Sequence, residues 1–359
     1  MENIYTEDIS VSEPIRKIYA DSVDNALSLL REAAQKRREA SVTPAAMAAS
    51  REDFREKYIR LLGIDICREV FGTGIPEVEL TAIGEDAAAV ISRVKIKLAD
   101  GVFFTGLLFV PKKGEGKMPL TIMSHGGGGS PELACDMIRP NNYGGVARSL
   151  IERGIVVFAP QLLLWNLHPS RCGGNIPHYE TTYDRKASDN ALKQCGTGIA
   201  GFEIYCFTRA LDWLTSCDFI DASRIGMTGL SYGGFYTLYT MAADTRIRSG
   251  WSAAFFNDRL RYAWVDFVWK DSAGQFLDQE VAGLCAPRKL CIDAGLEDKV
   301  FVGTGVDQLF PRVNEFFRAA DAAEHVRLNL WEGGHCFSTN LLDGKTSLAF
   351  FLDGMGVSV

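Results

Sequence analysis

Gly229-Leu230-Ser231-Tyr232-Gly233 constrains this 359-residue chain more than any other stretch. It has the form G-x-S-x-G. It lies between a short apolar run, Arg224-Ile225-Gly226-Met227-Thr228, and a segment of helical character from Phe235 to Ala243. That order predicts strand, strained turn and helix, the setting in which a serine hydroxyl is projected above a sheet. Glycines flank such a turn because a Cβ would hold the strand and the helix apart. A turn of this kind needs a buried sheet beneath it, so the rest of the chain must supply strands with helices to cover them.

The sequence supplies them after Pro119. Strands are predicted at Leu120–Ser124, Ile155–Ala159, Ile225–Gly229, Ile247–Ala254, Lys289–Ala294 and Val326–Trp331, and helices at Val146–Arg153, Ile199–Thr215, Gly305–Ala323 and Leu342–Leu352. Alternating strands and helices imply an α/β protein with a mostly parallel sheet covered on both faces. Upstream, Val78–Ile83, Val90–Leu98 and Val102–Val110 are strand-like runs joined by short turns such as Ala99-Asp100-Gly101, which predicts antiparallel hairpins. Residues 1–20 read as poorly structured, and 23–39 and 44–62 as two helices. Thr43-Pro44 is an N-cap and first-turn proline, Phe54, Tyr58, Leu61 and Leu62 form an apolar stripe, and Gly63 is a stop. The charged run Gln35-Lys36-Arg37-Arg38-Glu39 reads as a solvated face. The expected organisation is an N-terminal helical extension over 1–75 and one α/β domain over 76–359, with insertions at about 161–195 and 256–278.

A serine nucleophile needs a base, and the base needs an acid to orient it; in strand–turn–helix elbows these follow the serine in the order acid, then histidine. His335, in Trp331-Glu332-Gly333-Gly334-His335, follows the last predicted strand in a glycine-rich loop. Asp298, in Gly295-Leu296-Glu297-Asp298, follows the strand before it, with Glu297 and Asp293 as competitors. The oxyanion of an acyl-transfer transition state needs N–H donors. Ser124-His125-Gly126-Gly127-Gly128-Gly129 follows a predicted strand and resembles the glycine loop that supplies one, so Gly126 and Gly127 are candidates, together with the N–H of Tyr232. No Gly-Lys-Ser/Thr follows that loop, which excludes a phosphate cradle. His168, Cys172 and His178 match no zinc spacing, and neither metal nor cofactor is expected. Trp251, Phe255, Phe256, Tyr262, Trp264, Phe267 and Trp269 divide between core and pocket wall, and the sequence leaves the division open.

A formal net charge of −7 disfavours nucleic acid and anionic membrane surfaces as partners. Nine cysteines without a repeated spacing read as free thiols, Cys285 and Cys291 among them as small buried hydrophobes. Together with an acidic start, Met1-Glu2-Asn3-Ile4, they point to the cytoplasm. The expected partner is a small-molecule ester substrate, with monomer or homo-oligomer left open.

Arg224 to Gly234, and Ala286-Pro287-Arg288-Lys289-Leu290 leading into Gly295-Leu296-Glu297-Asp298, resemble the α/β-hydrolase superfamily in its dienelactone-hydrolase and acetyl-xylan-esterase-like branch. The helices ending in Leu61-Leu62-Gly63 are similar to that branch too. The resemblance covers about residues 45–355 and implies Ser231 as nucleophile, Asp298 as acid, His335 as base and esterase activity, often on acetylated carbohydrates. One departure follows Ala159-Pro160, where many relatives carry Asp and a Gly-rich turn; here Gln161-Leu162-Leu163-Leu164-Trp165 stands instead. Two other readings share the fold. A prolyl-oligopeptidase-type peptidase is disfavoured by the lack of a visible propeller repeat. A non-catalytic binding protein is disfavoured by the intact Ser, Asp, His order.

Overall fold

The computed structural model describes residues 4–114, 116–139, 141–164, 184–301, 305–338 and 346–358. Among these, nine strands form one sheet: β1 (Val78–Glu85), β2 (Ala89–Ala99), β3 (Val102–Pro111), β4 (Met118–Ser124), β5 (Val156–Pro160), β6 (Ile220–Leu230), β7 (Ser249–Ala253), β8 (Lys289–Gly295) and β9 (Val326–Trp331). Their order is β1-β2-β3-β5-β4-β6-β7-β8-β9. Pairings from β1 through β3 to β5 are antiparallel, and those from β5 through β4 to β9 are parallel.

Four helices precede the sheet: α1 (Ile9–Ser41), α2 (Pro44–Ala49), α3 (Arg51–Leu62) and α4 (Ile64–Phe71). Those between and after the strands are α5 (Pro131–Ala134), α6 (Val146–Glu152), α7 (Arg185–Gln194), α8 (Ile199–Leu214), α9 (Tyr232–Ala243), α10 (Ser272–Gln275), α11 (Asp278–Cys285), α12 (Val306–Arg318) and α13 (Ser347–Gly354). Side chains alternate across a strand, so each central strand feeds two cores. Val156 and Phe158 join Leu120 and Ile122 in a core with α3, α8, α9, α11 and α12. Val157 and Ala159 join Met123 in the other core, with α5, α6 and α13. Burial on both faces is why these strands read as unbroken apolar runs.

The N-terminal region departs from expectation. Residues 1–20 are not poorly structured throughout: α1 runs unbroken from Ile9, with the Asp8 carboxylate accepting from Ser10 N–H at 2.8 Å as its cap. Polar i,i+4 pairs such as Lys17–Asp21 support it locally. The helix expected over 44–62 breaks at Ser50 (φ −138°, ψ 46°), which caps α3. Gly63 does stop that helix in the left-handed region (φ 68°), but the chain restarts at once as α4. Met47, Phe54, Tyr58, Leu62 and Ile64 all enter the larger core. The run 35–39 is not wholly solvated: Arg38 is buried, with Nε 3.4 Å from Glu280, and Arg37 pairs with Asp271 at 2.7 Å.

The insertion expected over 161–195 ends in a regular helix, α7, while His168, Cys172 and His178 lie outside the described residues. So does the start of the helix expected from Leu342; α13 begins at Ser347. Among the described residues no group of three or more His, Cys, Asp or Glu is placed to hold a metal ion, and no helix is long and apolar enough to cross a membrane.

Candidate active site

β6 ends at Leu230 and α9 begins at Tyr232, which leaves Ser231 alone in the turn. Its backbone (φ 60°, ψ −117°) is one that non-glycine residues rarely adopt, at a cost of about 1–3 kcal/mol. Neighbouring structure holds it there. Ser231 N–H donates to the Ala253 carbonyl of β7 at 2.9 Å, and the Ser231 carbonyl accepts from Phe235 N–H at 2.9 Å. Gly233 is required: a Cβ there would sit 2.0 Å from the Ser124 carbonyl oxygen at the end of β4. The serine thus caps the positive end of α9, above the carboxyl edge of the sheet.

The acid and the base arrive on the loops after β8 and β9. Leu296 N–H donates to the Trp331 carbonyl at 2.9 Å, and Glu297 N–H to the Gly333 carbonyl at 2.8 Å, so the two loops are laced together. This brings His335 Nδ1 to 2.8 Å from Asp298 Oδ2. The other carboxylate oxygen, Oδ1, accepts from Val300 N–H at 2.7 Å and Phe301 N–H at 3.3 Å. Burial pushes the Asp298 carboxyl up, but the His335 bond and charge and the two N–H donors more than offset it, so it lies below its ordinary value. An ionised Asp298 accepts the Nδ1 proton of neutral His335 and places the imidazole lone pair on Nε2.

The competing carboxylates are elsewhere. Asp293 is buried within β8 and accepts from Trp251 Nε1 at 3.3 Å, Ser347 Oγ at 3.3 Å and Asn329 Nδ2. Glu297 is exposed and holds the loop by its backbone.

Ser231 and His335 line one cavity of about 620 Å³, with Gly126 to Gly129, Tyr143, Trp264 and Val300 around them. The glycine loop approaches the nucleophile closely, since a Cβ on Gly126 would be 3.2 Å from Ser231 Cβ. Its donor assignment needs correction. Gly126 N–H donates to Tyr143 Oη at 2.9 Å and is committed to fixing the loop. Gly127 lines the cavity, and Tyr232 is the first residue of α9. His125 braces the loop from below. Its Nε2 accepts from Leu162 N–H at 2.9 Å, so the proton is on Nδ1, 2.9 Å from the Gly126 carbonyl. Complete burial pushes its pKa down to about 4.

The aromatic residues divide. Trp251, Phe255, Phe256 and Phe267 are buried, and Trp269 stacks on Phe235 and Tyr239. Trp264, 36% exposed, faces the cavity. Two participants were not visible in the sequence. Tyr143 reaches the glycine loop from 17 residues away. Arg185 binds Glu203 and Asp266 beneath the cavity wall. Glu203, the one charged residue in the apolar run Ile199–Phe207, was an available signal.

With this geometry in place, similarity to known proteins can be read. A family model described as the prolyl oligopeptidase family matches residues 203–280, which include the elbow. "Putative hydrolase YtaP" of Bacillus subtilis (strain 168) is 25% identical over 242 residues, covering 63% of this chain and 75% of that protein. Methylesterase BT1017 superposes with a TM-score of 0.64 at 19% identity over 87% of this chain; the match spans 65% of that protein's own length. Acetyl xylan esterase 1 from Thermoanaerobacterium sp. JW/SL YS485 superposes with a TM-score of 0.55 at 17% identity, covering 84% of this chain and 94% of that one. At these identities the solved structures establish the fold: this chain has the α/β-hydrolase fold.

Proposed function

We propose that this protein hydrolyses carboxylic esters through an acyl-enzyme formed on Ser231. The observation that carries the reading is the 2.8 Å Asp298–His335 bond beside an elbow serine in the same cavity. His335 Nε2 takes the Ser231 proton as Oγ attacks the ester carbonyl. Tyr232 N–H and the Gly127 backbone hold the oxyanion, and Asp298 stabilises the imidazolium. His335 then protonates the departing alcohol. Water, deprotonated by the same imidazole, releases the acid and restores Ser231.

A small acyl ester, acetyl first, carried on a carbohydrate is the proposed substrate. The names of the methylesterase and the acetyl xylan esterase support it, as does the half-open indole of Trp264, which offers a sugar ring a stacking face. Likeness to the dienelactone-hydrolase branch and a cytoplasmic location, favoured by the thiols, belong to the same proposal. Ser231→Ala is expected to fold with an unchanged melting temperature and to lose hydrolysis of p-nitrophenyl acetate; retained turnover refutes the nucleophile.

The match over residues 203–280 favours one second reading, a serine peptidase of the prolyl-oligopeptidase type. An aminoacyl-proline anilide assayed beside the acetyl ester separates the two. Faster cleavage of the anilide, lost in Ser231→Ala, would replace the esterase reading.

A further inference from the structure

A buried charge cluster lies under the cavity wall, and the reaction above makes no direct use of it. Arg185, at the start of α7, has a side chain only 7% exposed. Its Nε donates to Asp266 Oδ2 at 2.7 Å, one Nη to Glu203 Oε2 at 3.0 Å and the Leu163 carbonyl at 2.8 Å, and the other to Tyr236 Oη at 2.7 Å. Tyr236 also donates to Glu203, whose second oxygen accepts from Leu163 N–H at 2.9 Å. Four parts of the chain thus meet on one guanidinium: the stretch after β5, α7 with α8, α9, and the 3-10 turn Val265–Phe267. Lys193 of α7 ties to the Val265 carbonyl as well, so helix and turn are joined twice.

Burying one guanidinium with two carboxylates is a poor route to stability, because the desolvation cost rivals the attraction. The cluster has a second contact that gives it a task. Tyr232, the residue after the nucleophile, donates its hydroxyl to Asp266 Oδ2 at 3.0 Å. Its ring lies 5.3 Å from the Arg185 guanidinium and 4.7 Å from the Phe267 ring. A side chain gripped at both ring and hydroxyl has one rotamer, and that fixes the peptide from which it grows.

We infer that Arg185 and Asp266 are positioning residues: acting through the Tyr232 side chain, they fix the peptide N–H that follows the nucleophile. This rests on the serine-hydrolase reading above. An N–H aimed at an oxyanion acts in the transition state and not on bound ester, so loosening it lowers kcat and spares KM. The same grip sets Trp264, whose ring packs on Phe267 and Tyr232, so the wall contributed by the second insertion is fixed along with the donor.

The test uses Tyr232→Phe, Asp266→Asn and the double variant of the full chain, with p-nitrophenyl acetate and a fluorophosphonate probe. Removing an oxyanion donor outright costs about 100- to 1000-fold in kcat, so misaligning one is expected to cost about 10-fold. KM is expected to change by less than about threefold and melting temperature by only a few degrees, with phosphonylation of Ser231 slowed in parallel. Because both substitutions cut one link, the double variant should be no slower than the slower single. A cluster that served stability alone would lower the melting temperature and leave the kcat of folded protein untouched. Single variants within about twofold of wild-type kcat, or losses that multiply in the double, overturn the inference. If Asp266→Asn does not fold, Tyr232→Phe, which removes one oxygen, decides alone. A wild-type protein that neither turns over the ester nor bonds the probe overturns the serine-hydrolase reading, and this inference with it.

Discussion

Asp293, Glu297 and Asp298 are neighbours in sequence, and their surroundings give each a different task. Asp298 is stabilised as a carboxylate against its own burial by His335 and two N–H groups. Asp293 is pushed up by burial and satisfied by Asn329, Trp251 and Ser347, none of them in the cavity. Asp298→Asn is therefore expected to lower kcat by about 10³- to 10⁴-fold, because an amide no longer holds the imidazole in the productive tautomer. Asp293→Asn is expected to keep kcat within a fewfold and to cost roughly 1–3 kcal/mol of stability by disturbing buried partners. Paired measurements of kcat and melting temperature on both variants check the division. At this scale the pairing of His335 with Asp298 was legible, because chain order and position after a strand are properties of the sequence. The commitment of Gly126 N–H to Tyr143 was not, because 17 residues separate the partners and no local pattern links them.

The glycine loop after β4 shows what an element adds. Its glycines allow the approach to Ser231, but His125 gives the loop a fixed shape by accepting from Leu162 and binding the Gly126 carbonyl. This brace titrates. In the unfolded chain His125 takes up a proton below its ordinary value of about 6.5, whereas in the fold it does so only near 4. The unfolded state therefore binds more protons between those values, and stability rises with pH there. The contribution is fully present above about pH 6.5 and is lost as pH falls towards 4, at roughly 3 kcal/mol in full. His125→Asn is expected to flatten the fall in melting temperature between pH 7 and 4.5 relative to wild type; parallel curves would refute it. Element boundaries were legible where apolar periodicity was strong, as at α8 and β9. They failed at α1, whose exposed length carries no apolar stripe facing the body, and at Ser50, where a serine cap interrupts an otherwise helical run.

At the scale of the whole molecule, the first part of α1 stands apart from the body. Ile9, Val11, Ile15, Ile18, Tyr19, Leu29 and Leu30 are exposed, and contacts with the body begin near Arg31, which donates to the Leu260 carbonyl at 3.3 Å. Removing residues 1–30 is expected to shift the melting temperature by less than about 2–4 °C. Removing 1–41 should lower it further, because buried Glu280 then loses its partner Arg38. Thermal unfolding of both truncations is the measurement. The α/β layering was determined by sequence alone, since strand-length apolar runs alternating with helical ones admit few other solutions; the choice of Ser231, Asp298 and His335 as candidates came from the sequence too, because an elbow serine needs its partners in a set order. Only the tertiary structure decided that Tyr143 holds the Gly126 amide, which aromatic residue faces the cavity, and that Arg185, Glu203 and Asp266 meet beside Tyr232. Each of these is a contact between residues distant along the chain, and such contacts depend on how elements pack in three dimensions, which no local periodicity or motif encodes.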